Sequence, residues 1–207
     1  MDGGGQSIKT SEALRAIYGE PVQIALDKTL TRLDQHCRAF IAASPFLVLG
    51  TASADGPADV SPKGDAPGFV QVLDDRTLLI PDRRGNNRVD GLENVLGNPY
   101  VALIFLVPGM NETLRVNGRA EIVTAPDRLA PMAVNGKPPT SALQVTVEEA
   151  FLHCGKALIR SRLWDPESRI DRKSFPSLGR MIADQIEGLD AEETDRVVEE
   201  SYRERLY

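Results

Sequence analysis

The run Tyr100-Val-Ala-Leu-Ile-Phe-Leu-Val107 is apolar at every position and no longer than a strand. A run of this kind predicts a central strand buried on both faces. Pro108-Gly109-Met110-Asn111 turns the chain back, and Glu112 to Val123 then alternates. Leu114, Val116, Gly118, Ala120 and Ile122 fall on one face, with Thr113, Arg115, Asn117, Arg119 and Glu121 on the other. The first face belongs to a core, and the second is polar enough to meet a ligand or a partner. Two such segments joined by a short turn commit the chain to a sheet.

The remaining segments extend that sheet. Phe46 to Thr51 reads as a buried strand before an Ala-Asp-Gly turn at residues 54–56. Pro57 to Asp65, with Pro57, Pro62 and Gly64, reads as an edge or strand end whose backbone is left free for a ligand. Phe69–Leu73 and Arg76–Ile80 flank Asp74-Asp75 as a hairpin, and Ser141–Val147 is the last clear strand. Helical spacing appears over Lys28–Ala43 (Leu30, Leu33, Cys37, Phe40, Ile41) and over Arg88–Leu96, which Gly97-Asn98-Pro99 stops. Ser11 caps a short helix through Tyr18, another short helix runs from Pro126 to about Ala133, and a further one from about Cys154 to Trp164. Ser177–Ile186 and a helix capped by Asp190-Ala-Glu-Glu193 close the chain. The fold class expected is mainly β with α additions (α+β), a barrel or sandwich with helices at its ends and not a doubly wound sheet. Residues 1–10 read as a loose terminus. Residues 11–207 read as a single domain, with helices over 11–43, a core over 44–164 and a charged helical appendage over 165–207.

One turn stands out chemically. Between the hairpin arm and the Arg88 helix lies Pro81-Asp-Arg-Arg-Gly-Asn-Asn-Arg88, with cationic forks at Arg83, Arg84 and Arg88 and side-chain amides at Asn86 and Asn87. Taken alone, it is either a solvated surface turn or an anion site at a helix start. Lys63 is likewise either a solvated loop lysine or a ligand. No GxGxxG and no GxxxxGK[ST] is present, so the common nucleotide fingerprints are absent. With only His36 and His153, a histidine-based metal or triad site has little material, and Cys37 and Cys154 lack zinc or disulfide spacing. The balance of 24 basic against 30 acidic residues argues against a nucleic-acid or anionic-membrane binder. MDGGGQSIKT lacks the apolar core of a secretion signal and no apolar run is membrane-length, so a reducing cytoplasm is the expected location.

The ordered blocks TASADGPADVSPKGD, LLIPDRRGNNRVDGLENVLGNP, VALIFLVPG, ETLRVNGRAEI and HCGKALIRSRLW resemble the pyridoxamine 5′-phosphate oxidase-like FMN-binding proteins, an uncharacterised bacterial branch in particular. The likeness runs from about Leu30 to Trp164. It implies a split β-barrel that forms a homodimer with one FMN in each of two clefts between subunits. Carried over by position, it implies that Val60, Ser61, Pro62 and Lys63 meet the ribityl-phosphate region, followed by Ile80 and Pro81. Asn87 and Arg88 then hold the phosphate with Arg83 and Asn86 nearby, and Thr113 and Arg115 contribute from the following strand. Arg84 is expected to point to solvent. Lys156, Arg160 and Trp164 either reach the flavin of the partner subunit or simply pack their helix on the barrel. The C-terminal cluster that closes on the vitamin in true pyridoxamine-phosphate oxidases has no counterpart in residues 165–207, so vitamin B6 oxidation is not implied.

Two functions fit these expectations. One is an FMN-dependent oxidoreductase acting on an unknown small molecule. The other is a carrier, store or sensor that binds FMN or another cofactor without chemistry, haem being disfavoured by the histidine count. A ligand-free structural barrel is the third reading, and it makes the basic turn a coincidence.

Overall fold

The computed structural model describes residues 7–207; the loose terminus expected at 1–10 therefore lies mostly outside the described residues. Three helices come first, α1 (Ser11–Tyr18), α2 (Gln23–Asp27) and α3 (Gln35–Ala43). The strands β1 (Phe46–Ala52), β2 (Ala58–Gly64), β3 (Gln71–Val72) and β4 (Thr77–Asp82) lead into α4 (Asp90–Gly97). Then follow β5 (Tyr100–Leu106), β6 (Thr113–Val123), α5 (Pro126–Leu129), β7 (Ser141–His153), α6 (Lys156–Ser161), α7 (Leu178–Gln185) and α8 (Ala191–Glu204).

All strand pairs are antiparallel, in the order β2-β1-β5-β6-β7-β4-β3. The sheet curls until its β2 edge meets the end of β4, although five places separate these strands in that order. No backbone ladder joins them. Two ion pairs cross the gap instead: Lys63 Nζ to Asp82 Oδ1 at 3.4 Å, and Arg83 Nε to Asp65 Oδ2 at 2.7 Å. The concave side holds a core that includes Leu47, Leu49, Leu78, Ile80, Leu103, Phe105, Leu114, Val116 and Val145, each at most 2% exposed. Leu33, Cys37, Phe40 and Ile41 of the α3 region pack on it.

The β6 alternation is as the sequence predicts, with Leu114, Val116, Gly118 and Ala120 inward. Four readings need correction. The helix expected over Lys28–Ala43 is two pieces: Leu30 is paired with Ala150 in an isolated β-bridge, and Asp34 starts α3 by accepting the Cys37 N–H at 2.8 Å. Thr10, not Ser11, caps α1, its Oγ1 accepting the Ala13 N–H at 3.2 Å. The last strand runs six residues past Val147 to His153, because β6 continues beside it. β5 is buried on one face only, since Val101, Leu103 and Phe105 point inward while Tyr100 is 55% exposed on the outer face.

The two cysteines differ sharply in setting. Cys37 is buried and its thiol is pushed up to about 11, first by burial and then by its contact with the Asp34 carboxylate, whereas Cys154 is exposed at the end of β7. A thiol-specific reagent at pH 8 is therefore expected to titrate one thiol in the native protein and two after denaturation. Two reactive thiols in the native protein would show that α3 is not seated as described.

Candidate functional site

The seam between β2 and β4 opens into a cleft of about 410 Å³, within the range of small-ligand sites. One wall is β2, whose Asp59, Ser61 and Lys63 alternate with the more exposed Val60 and Pro62. The other is the turn from Arg83 to Val89, and the floor includes Leu49, Gly91, Leu92 and Ser141. The turn ends on Val89 at φ +48°, a left-handed conformation that is strained for a β-branched residue and commonest where function demands it. Asn87, at φ +61°, shares this conformation at less cost.

That geometry leaves the start of α4 open. Val89 offers no side-chain cap, and the Asp90 and Gly91 N–H groups have no acceptor among the described residues. Asn94 Nδ2 donates to Thr51 Oγ1 at 3.0 Å, which fastens α4 to β1 with its N-terminus against the cleft. Free N–H groups at the positive end of a helix, with cations around them, form an anion site.

The charges are nearly balanced. Lys63, Arg83, Arg84 and Arg88 line the cleft together with Asp59, Asp82 and Asp90. Lys63 is held by Asp82 at 3.4 Å, and Arg88 by Asp90 at 2.8 Å. The Arg88 pair is loose, with 77% of the arginine side chain exposed, so its guanidinium can turn to a ligand at small cost. Arg83 is different. Its Nε donates to Asp65 and its Nη1 to the Met132 carbonyl at 2.8 Å, with 18% of its side chain exposed. Arg83 thus clamps the turn to the barrel while still lining the cleft beside Arg84 and Arg88. Arg84, expected to point to solvent, lines the cleft and makes no ion pair among the described residues.

Burial alone would raise the Asp65 carboxyl, but the Ala66 N–H, the Tyr207 hydroxyl and Arg83 together hold it below its ordinary value. Conversely, its hydrogen bond to Asp65 raises the Tyr207 phenol.

Of the residues singled out in the sequence, Val60, Ser61, Lys63, Arg83, Asn86, Asn87 and Arg88 line this cleft. Pro62 is on β2 but does not line it. Ile80 and Pro81 are buried in β4 behind it. Thr113, Arg115, Lys156, Arg160 and Trp164 do not line it either. Thr113 is buried opposite His153, and the Arg115 guanidinium lies 4.9 Å from the Phe151 ring centroid. Trp164 Nε1 donates to the Met110 carbonyl at 2.6 Å, so it packs its segment against the β5–β6 turn, while Lys156 and Arg160 are exposed on α6. Within one chain none of these five reaches the cleft. Sequence reasoning passes over Asp59, Asp82, Asp90 and Asp65. A signal for two of them is present, since Asp82 and Asp90 bracket the arginine turn.

Among the described residues no group of histidine, cysteine and carboxylate side chains could hold a metal ion, and no helix is long and apolar enough to cross a membrane. No curated protein matches the sequence. Similar solved structures include HupZ from Group A Streptococcus (20% identity, 58% of this chain and 93% of that one, TM-score 0.46). Others are an FMN-binding protein from Syntrophomonas wolfei (13% identity, 68% and 95% covered, TM-score 0.43) and General Stress Protein 26 from Bacillus anthracis (16% identity, 55% and 88% covered, TM-score 0.41). The family model for pyridoxamine 5′-phosphate oxidase matches residues 33–154, more than half of the sequence and all of it within the barrel and the helix packed on it. The chain with this seven-stranded split β-barrel belongs to the pyridoxamine 5′-phosphate oxidase family.

Proposed function

We propose that the protein is an FMN-dependent oxidoreductase acting on a small molecule, with the flavin phosphate held at the seam cleft. The observation that carries this reading is the open start of α4 beside Arg84, Arg88 and Lys63, with the Asn86 and Asn87 amides in the same turn. A nearly dianionic phosphate fits that donor set. Arg88 and Arg84 would supply charge, Ser61 a hydroxyl, and the Asp90 and Gly91 N–H groups the helix-end contact. When bound, flavin supplies hydride and electron transfer at its ring, so the chain need only bind, orient and exclude water. Membership of the family supports the flavin reading but does not extend to vitamin B6 as substrate.

The reading includes a homodimer. The outer face of β1, β2 and β5 is apolar and exposed in one chain, with Val60 70%, Tyr100 55% and Phe46 38% accessible. Such a face is seldom left uncovered, and a two-fold axis there is what would let Arg115 and Trp164 of one subunit approach the cleft of another.

The absorbance spectrum of the purified protein tests the proposal, together with sedimentation at the same concentration. Oxidised-flavin bands in a dimer, bleached anaerobically by a reduced nicotinamide and restored by an electron acceptor, are expected. Bands that no donor bleaches would leave a flavin carrier. A colourless protein that takes up no added FMN would end the flavin reading, and a loaded monomer would end the shared cleft.

A further inference from the structure

Among the described residues, the C-terminal helices hydrogen-bond to the barrel through one residue. α7 and α8 hold each other closely: Asp195 accepts from Ser177 Oγ at 2.5 Å and from the Gly179 N–H at 2.7 Å, and a Cβ at Gly179 would collide with the Asp195 backbone nitrogen. Among the described residues, every hydrogen bond from the chain beyond Phe175 to the barrel involves Tyr207. Its hydroxyl donates to Asp65 Oδ1 at 2.8 Å, and its carbonyl accepts from Lys137 Nζ at 3.3 Å. The Arg83 guanidinium lies 6.0 Å from its ring centroid.

That attachment is on the wall of the cleft. Asp65, with 4% of its side chain exposed, takes three donors: the Ala66 N–H and the Tyr207 hydroxyl on Oδ1, and Arg83 Nε on Oδ2. Removing the hydroxyl leaves Oδ1 with the Ala66 N–H alone and one lone pair of a buried carboxylate unfilled, which loosens its hold on the turn. Arg83 is the first residue of the turn, and Arg84, which has no ion-pair partner among the described residues, follows it. The hold on the turn thus runs in part through Asp65, beside the Met132 carbonyl, and the hold on Asp65 in part through Tyr207, beside the Ala66 N–H.

We infer that Tyr207 is a positioning residue for the phosphate turn, and that docking of the α7–α8 strap and loading of the cleft favour each other. This rests on the reading of the cleft as an FMN phosphate site. A turn already fixed by its clamp loses less freedom when ligand binds, so a docked strap tightens binding. By reciprocity the ligand tightens the strap by the same factor.

Arg205 supplies the assay, because trypsin cleavage after it separates Leu206 and Tyr207 from α8. Full-length wild type, Tyr207→Phe, Asp65→Ala and the double variant are titrated with FMN by fluorescence quenching and digested with and without it, with thermal melts as folding controls. Tyr207→Phe is expected to weaken FMN about fivefold, the lower end of ordinary coupling. FMN should slow cleavage at Arg205 of the wild type, and much less so of Tyr207→Phe. In the Asp65→Ala background, which has no acceptor for the hydroxyl, Tyr207→Phe should add nothing, since its effect passes through Asp65. Unchanged FMN binding by Tyr207→Phe, or cleavage indifferent to FMN, overturns the inference. If the wild type binds no FMN, the flavin reading fails and the coupling with it. Digestion without ligand then separates that failure from loss of the latch itself, because a real latch makes Tyr207→Phe the faster-cut form.

Discussion

Arg88→Ala is expected to weaken FMN binding about tenfold while leaving riboflavin, which lacks the phosphate, bound as before. A charge-assisted hydrogen bond contributes about 1.5–3 kcal/mol when well made, and the exposure of this arginine places it at the low end. Its resting partner Asp90 competes with the ligand for the same guanidinium, across 2.8 Å. Asp90→Asn should therefore strengthen FMN binding several-fold, and the benefit should be smaller when Arg88 is also removed, leaving only the relief of carboxylate–phosphate repulsion. Raised ionic strength should narrow the gap between wild type and Arg88→Ala, because both the resting pair and the phosphate contact are screened. Quenching titrations at two salt concentrations measure all of this. Equal affinities for wild type and Arg88→Ala would move the phosphate away from α4.

Gly118→Ala is expected to destabilise the fold by about 3 kcal/mol, the upper part of the range for overpacking. The β6–β7 register shifts between Asn117 and Gly118, and there the strands approach so closely that a Cβ would run into the Thr146 carbonyl oxygen. The obstacle is backbone in the middle of the sheet, so no side-chain rotation relieves it. For a chain of this size such a loss lowers the melting temperature by roughly 10 °C. Gly85→Ala is the control, since a Cβ there meets nothing within 4 Å and the melt should not move. A Gly118→Ala protein that melts with the wild type would mean that β6 and β7 pair without this bulge.

Much of the fold is legible from local pattern. The alternation in β6, the Asn-Pro stop after α4 and the Asp190 cap of α8 each follow from residues within one element, and each is present in the structure. Failures arise where a local pattern has two causes. Leu30 continues the helical stripe of α3 but serves a bridge to Ala150, a partner no window of sequence contains. The outer residues of β5 are apolar, like its inner ones, yet in a single chain Tyr100 and Ala102 stay exposed and Ile104 and Leu106 are only half-buried. The arginine turn is visible as a cation cluster, but the division of labour within it is not. Arg83 is taken by Asp65, Met132 and Tyr207, which lie far along the chain, and that leaves Arg84 in the cleft. Thr113, Arg115 and Trp164 come from the family resemblance, and within one chain they lie away from the cleft.

The closure of the barrel by Lys63–Asp82 and Asp65–Arg83 has a kinetic consequence. Parting β2 from β4 breaks side-chain pairs but no rung of the sheet, so the barrel can breathe there at far lower cost than it can unfold. Entry and escape of a ligand need not follow global stability. A variant could melt like the wild type and still lose a bound ligand quickly, and a loosely held ligand would not by itself be a sign of a weak fold.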